Sequence, residues 1–540
     1  MKADTFLKQF EQLAEAPDGI TKLRELILQL AVRGKLVEQD PNDEPISVGE
    51  PAEDGLPESW RVPALGDVLE VQNGYAFKSR NFNEVGEGLP LIRIRDIMNE
   101  ETEVHCSEEY REDFLVQHGE ILIGMDGNFN VSRWKGSTAL LNQRVCKLKD
   151  FAGEVLSDYV LVGIQEQLDR VREKSKNYTT VLHLSAKQVR SIRLPFAPLA
   201  EQKRIVAKVD ELMALCDDLE AKQQAKRTKK IALNRASLHA VTEPNGSSLA
   251  TAWHRVRNHF DHLYTIPETV AELRQTILQL AVMGRLVPQD PSDLPASELL
   301  KKIQAEKQRL IAEGAIRKPE ALRAVDDVGD LANTWEIRRL ADVCVSIVDG
   351  SHNPPPRSSS GLPYITAKNV IGGRVELDGC TFISDEDAPA VTKRYVPRDG
   401  DVLLTCVGTI GRIAIVHGSE RFAIDRNVAA LRPHAVGIDP KYLEIVLRGP
   451  EMQRIISAAS GSTAQPHIYL KEIRSLVCPL PPLAEQKRIV TKVDQLMTLC
   501  DDLEAKLQQA QTDADNLLAA IVHELTRTSA DSQERSLNAT

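Results

Sequence analysis

Residues Pro198–Lys222 read PLAEQKRIVAKVDELMALCDDLEAK, and residues Pro482–Lys506 read PLAEQKRIVTKVDQLMTLCDDLEAK. The two stretches differ only at Ala207/Thr491, Glu211/Gln495 and Ala214/Thr498. Chance does not give such a match, so the chain is an internal repeat, and this repeat decides the fold. In the second copy apolar or small residues recur at 489, 493, 496, 500, 503, 507, 510, 514, 517 and 521. The steps alternate four and three, which is a heptad seam on a helix. The first copy keeps the seam at 205, 209, 212, 216 and 219, then weakens in the basic run QQAKRTKKIALNR at 223–235. A helix of ~40 residues is roughly 60 Å long. The pattern predicts two long helices, antiparallel and packed as a coiled coil if a two-fold axis relates the halves.

A second repeat precedes each variable region. LRELILQLAVRGKLVEQDPNDEP spans 23–45 and LRQTILQLAVMGRLVPQDPSDLP spans 273–295. Each reads as a short apolar helix stopped near Gly34 or Gly284 and followed by a Q-D-P turn. The order is short repeat, long repeat, short repeat, long repeat. The tail after Lys506 and the head before Leu23 together resemble the central connector cut open, which predicts a cyclic, pseudo-two-fold protein whose ends meet.

The regions between the repeats are weakly alike. Trp60, Leu65, Asp67 and Val68 correspond in order to Trp335, Leu340, Asp342 and Val343. Gly88–Pro90 corresponds to Gly361–Pro363, and GEILI at 119–123 to GDVLL at 400–404. His183 and His467 stand at matching distances before the PLAEQ motifs. Short β-branched runs between Gly, Asp and Asn turns predict sheet-based domains. The fold class is therefore α+β: two sheet-containing domains separated by two long helices. The expected boundaries are 1–56 for an N-terminal connector piece, 57–197 and 335–480 for the variable domains, 198–300 for the central connector, 301–334 for a helical linker, and 481–540 for the C-terminal connector; the charged stretch 296–325 reads as a solvated helix and turn.

Composition is that of a water-soluble globular chain: 540 residues, 42% hydrophobic, 27% charged, net charge −11. No run approaches the ~18 apolar residues of a membrane-spanning helix, and the charged start MKADTFLKQFEQLAEAPDG does not read as a secretory signal. The eight Cys form no C-x-x-C pair, so neither zinc nor dithiol chemistry is suggested and reduced thiols in a cytoplasm are expected.

Motifs for catalysis are not evident. There is no G-x-x-x-x-G-K-[ST], G-x-S-x-G or H-E-x-x-H. Gly408–Gly411 reads as a hairpin turn and SHNPPPRSSSG (351–361) as a surface loop. The loops do carry groups that can pair with base edges. In the first domain these are Lys78, Arg80, Arg93, Arg95, Asn128, Asn130, Arg133 and Lys135. In the second they are His352, Asn353, Arg357, Lys368, Asn369, Arg412, Gln465 and His467. Singly each is more often a solvated loop residue; together they fit a binding surface on a scaffold. Charge opposes this reading: residues 57–197 hold 18 Lys and Arg against 21 Asp and Glu, net −3, and residues 335–480 hold 17 against 16, net +1. Phosphate binding needs local positive charge, so the cations must be gathered on one face or a partner must supply grip.

The doubled PLAEQKRIV…CD segment, with DGSHNPPP, GLPYITAKNV, LLTCVGTIGRIAIV, MDGNFNVSRWKG and LLNQRV, resembles the specificity subunit of type I restriction–modification enzymes over essentially the whole chain. The resemblance implies that each variable domain reads one half of a bipartite, asymmetric DNA target. The connectors would set the unread spacer and dock two modification (methyltransferase) subunits, which restriction (translocase and nuclease) subunits then join. S-adenosylmethionine, ATP and Mg would sit on those partners, with no cofactor or metal in this non-catalytic chain. Candidate partner-binding residues are those repeated on both connectors and expected to be exposed: Glu201, Gln202, Lys203, Asp217 and Asp218, and Glu485, Gln486, Lys487, Asp501 and Asp502. Two other readings stand beside this one: a coiled-coil adaptor whose domains bind proteins, and a methyltransferase system without a cleaving partner.

Overall fold

The computed structural model describes residues 14, 18–52, 55–176, 183–243, 249–316, 332–353, 355–418, 421–460 and 466–526. The candidate Gln465 lies outside them. The chain divides into two compact units: residues 1–227 with 509–540, and residues 228–508. The division falls inside both long helices, Leu199–Thr242 and Leu483–Thr526.

In the first unit the short helix Gly19–Val32 is the hub. Its Leu23, Leu26, Ile27 and Leu30 share a core with Ile205, Val209, Leu212 and Cys216 of the first long helix, and Ile521 of the second packs against that core. Arg24 donates to Asp217 at 2.6 Å and to Glu220 at 2.7 Å, while Lys22 pairs with Asp515 at 3.3 Å. The early and late parts of the chain thus meet in one core.

The second unit repeats the plan with the long helices exchanged. The short helix Pro267–Val282 shares a core with Ile489, Val493 and Cys500 of the second long helix and with Leu238 and Val241 of the first. Arg274 donates to Asp501 at 2.6 Å and to Glu504 at 2.9 Å. On the other side Glu272 accepts from Asn234 at 2.9 Å and from Arg235 at 2.6 Å. The heptad seam is therefore covered within each unit by a short repeat helix. Beyond Leu507 it weakens: Leu517 is 64% exposed.

Each short helix ends on a glycine in the left-handed region, Gly34 at φ 64° and Gly284 at φ 68°. The amide after it closes the helix in a Schellman turn, Lys35 N to Leu30 O and Arg285 N to Leu280 O, both 3.0 Å. A Cβ at Gly34 would stand 3.2 Å from the ring of Trp60, and one at Gly284 3.1 Å from Trp335. Glycine thus supplies both the turn and the room for the tryptophan.

Each variable domain is built on two main sheets, beside shorter two-stranded ones. The first is antiparallel with the same strand order in both: Glu70–Asn73, Val145–Lys149, Ile121–Gly124, Val131–Arg133 in one, and Cys344–Asp349, Val428–Pro433, Val402–Thr405, Ile413–Ile415 in the other. The second holds one parallel pair, Leu89–Ile92 beside Ala139–Leu141, matched by Leu362–Ile365 beside Ala423–Ile424. GEILI and GDVLL supply equivalent central strands, and 404–413 forms the expected hairpin.

The region ahead of the second domain departs from the expected solvated linker. Helix Ala296–Ala312 is amphipathic and buries Ala296, Leu299, Leu300 and Ile303 in the core of the second unit. Its Lys307 Nζ donates to Ala341 O at 2.7 Å. Apolar residues at i, i+3, i+4 and i+7 made this docking face readable.

Candidate nucleic-acid interface

The loops at one end of the first domain's antiparallel sheet enclose a cleft of about 620 Å³. It gathers Arg93, Arg95, Asn128 and Asn130 of the expected set, with Asp126, Asn142, Gln143 and Arg144. Arg93 is held by Asp96, Nε to Oδ2 3.0 Å, while the Arg95 side chain is exposed. Asp126 accepts from His183 Nδ1 at 2.7 Å and pairs with Arg144 at 3.5 Å. Arg93, Arg95 and Arg144 thus meet at this cleft beside Asp96 and Asp126, in a domain whose total charge is negative.

The second domain has a cleft of about 550 Å³ that adjoins the equivalent turn, with Val407 and Arg426 at the places of Asp126 and Gln143. His352 and His467 of the expected set line it, with Asp349, Arg394, Arg426 and Lys471. Asp349 is buried and pairs with Arg394 and with His352 Nε2, the latter at 2.9 Å. His467 stacks on Tyr469, centroids 4.1 Å apart. Cations again outnumber carboxylates in the cleft lining.

The remaining candidates lie elsewhere. Lys78, Arg80, Lys135, Asn353, Lys368 and Arg412 are exposed outside the cleft linings. Arg357 lies over the Tyr364 ring at 3.9 Å. Two assignments are corrected. Arg133 is a structural clamp whose guanidinium donates to Asp158 (Nε to Oδ1 2.9 Å), Ser157 Oγ (2.7 Å) and Gly119 O (2.5 Å). Asn369 is buried as a cap: its Oδ1 accepts from Thr366 N at 3.0 Å and its Nδ2 donates to Glu376 O at 3.0 Å.

The repeated residues at the start of each long helix also need correction. Glu201, Gln202, Glu485 and Gln486 are buried, at 1% exposure or less, and make no outer surface. Glu201 accepts from Trp60 Nε1 at 3.0 Å and Gln39 Nε2 at 2.6 Å; Glu485 accepts from Trp335 Nε1 at 3.1 Å and Gln289 Nε2 at 2.5 Å. Desolvation raises both carboxyls above the usual range despite these donors. Gln202 accepts from Leu156 N at 2.8 Å and donates to Glu154 O at 3.0 Å and Ala197 O at 2.8 Å. Gln486 does the same with Asp439 N, Gly437 O and Pro481 O. Identity here is demanded by the joint between long helix and variable domain. Lys203, Asp217 and Asp218, and Lys487, Asp501 and Asp502, are exposed, although Asp217 and Asp501 hold the arginines of the short helices. Sequence reading missed Leu215 and Leu499, equivalent leucines that are 37% and 62% exposed.

Sequence reading also missed the polar residues inside LLNQRV (140–145) and its counterpart AIDRNV (423–428). The signal available was an apolar pair, three polar residues and a valine at matching places in both domains.

Two like domains, each joined to a copy of the repeated long helix and each with a loop cleft lined by cations, define a recognition protein with two reading domains. The family model for the type I restriction modification DNA specificity domain matches residues 57–227 and 332–510. The EcoAI specificity subunit of Escherichia coli is 31% identical, over 91% of this chain and 91% of its own length. The EcoEI specificity subunit, also from Escherichia coli, is 31% identical with the same coverage. The EcoBI specificity subunit of that organism is 29% identical over 89% of this chain and 88% of its own length. The chain belongs to the type I restriction–modification specificity family.

Proposed function

We propose that this chain is the non-catalytic DNA-reading subunit of a type I restriction–modification complex. Each variable domain reads one half of an asymmetric, two-part target. The observation that carries this reading is the pair of clefts rich in cations, one in each domain, that meet at an equivalent turn yet are lined by different polar side chains. Phosphate contacts position a protein and base edges specify sequence, and the clefts offer groups for both. The long helices set the unread spacer. Two methyltransferase subunits dock on the connector faces where Lys203, Leu215 and Asp218 are repeated as Lys487, Leu499 and Asp502. Those partners carry S-adenosylmethionine, and restriction subunits carry ATP and Mg. No helix among the described residues is long and apolar enough to cross a membrane, in keeping with a complex that works on DNA in the cytoplasm. An adaptor for proteins alone has no cleft chemistry in its favour.

The test is selection of duplex DNA on the reconstituted complex of this chain with its methyltransferase subunits. The expected result is two short specified blocks flanking a spacer of fixed length, with retention that falls steeply as salt rises. Retention without sequence preference, or one continuous block, contradicts the proposal.

A further inference from the structure

We propose that Gln143 and Arg426, the tip residues of one turn shared by the two units, are equivalent base-reading positions, Gln143 for an adenine edge and Arg426 for a guanine edge. The inference rests on the DNA-reading function above and assigns residues to it.

The two turns are superimposable in their bonding. Each leaves a strand of the mixed sheet and enters the antiparallel sheet. Val145 N bonds Asn142 O and Val428 N bonds Asp425 O, both at 2.9 Å. Met125 N bonds Arg144 O and Cys406 N bonds Asn427 O, again both at 2.9 Å. Bridges Tyr75–Asn142 and Ser351–Asp425 clamp the opposite side. Gly74 and Gly350 permit this approach: a Cβ would fall 2.0 Å from Asn142 O in one and 1.8 Å from Ile424 O in the other. The backbone is therefore held rigid, and Gln143 and Arg426 both stand exposed on the cleft rim.

Residue choice separates this turn from the structural parts. At the joint with the long helix both units keep the same buried residues: Trp60 and Trp335, Tyr159 and Tyr442, Glu201 and Glu485, Gln202 and Gln486. On the turn all three residues change, Asn142-Gln143-Arg144 against Asp425-Arg426-Asn427. One frame with exchangeable polar heads is what two domains need to read different bases. Among the described residues neither the Gln143 amide nor the Arg426 guanidinium has a hydrogen bond or ion pair within the chain. Glutamine pairs with adenine N6 and N7, and arginine with guanine O6 and N7, each through two hydrogen bonds.

The experiment expresses the full chain with its methyltransferase subunit in a host free of adenine methylation, then maps methylated sites across the genome. Gln143→Ala is expected to relax one adenine position in one half-site, lowering discrimination there roughly 5- to 150-fold. Arg426→Ala is expected to relax one guanine position in the other half-site by a similar factor. Each leaves the untouched half and the spacer as in the wild type. An unchanged motif in both variants overturns the inference, as does a uniform loss of methylation with no relaxed position. A wild-type motif that is not bipartite refutes the DNA-reading proposal itself, so the two failures are distinct. If either alanine variant melts below the wild type, Gln143→Glu and Arg426→Lys replace it, and the same relaxed position is required.

Discussion

Replacing Gln202 with alanine separates a structural joint from a docking surface. Gln202 is fully buried, and its amide makes three hydrogen bonds, to Leu156 N, Glu154 O and Ala197 O. Each is worth about 1 kcal/mol net, and the Ala197 carbonyl left behind is buried. Gln202→Ala should therefore cost about 3 kcal/mol, roughly a 150-fold rise in the opening equilibrium of the first unit. A solvated residue used only for partner contact would change stability by about 0.5 kcal/mol or less. Native-state hydrogen exchange, read by peptide, is the assay. Protection should fall at 150–165 and 199–215, while peptides of the second unit keep their wild-type exchange. Gln486→Ala should give the mirror result, with loss confined to 433–446 and 482–497. A cost below about 1 kcal/mol in both variants, with partner affinity reduced instead, would refute the assignment of these glutamines to the joint.

Asp401 is buried beneath Arg432 and also accepts from Tyr395 OH at 2.9 Å and Arg398 N at 2.9 Å, so Asp401→Ala should destabilise the second unit by about 3–5 kcal/mol in urea unfolding. His434 is buried, and among the described residues neither ring nitrogen finds a hydrogen-bond partner; desolvation, aided by Lys307 and opposed by Glu306, lowers its pKa to about 4. Its folded value lies below the ordinary one near 6.5. The neutral form therefore contributes stability above that pH, and the contribution is lost as pH falls toward about 4. The urea midpoint of the second unit should drop less between pH 7 and pH 5 in His434→Leu than in the wild type; equal drops would contradict this. Seven of the eight free thiols are buried and Cys380 is partly open, so brief alkylation of the native chain should label Cys380 first by peptide mapping.

The architecture was legible because it is written twice. The heptad seam, the Gly34 and Gly284 stops and the paired Trp60 and Trp335 each gain weight from their second copy. Glu201 and Gln202 misled for a physical reason. A polar residue one turn into a helix reads as solvated unless the strands and loops it anchors are known, and those partners, Trp60 and Leu156, are distant in sequence. The clefts were half legible. Arg93, Arg95, Asn128 and Asn130 converge, yet Arg133, in the same motif, turns inward to Asp158. Asn128 and Asn130 stand in the loop and Arg133 in the strand that follows, Val131–Arg133, and which face the strand turns inward is not shown by composition. The inserted helix at 296–312 was misread by weighing its charge over its apolar stripe.

The central claim is that two like heads read two separate half-sites across a spacer held by duplicated rods. It is tested most directly by exchanging residues 335–480 for the corresponding domain of another family member and mapping adenine methylation in the complex with methyltransferase subunits. The account predicts that one half of the methylated motif changes while the other half and the number of intervening bases stay as they were. A motif unaltered by the exchange, or altered in both halves at once, would contradict it.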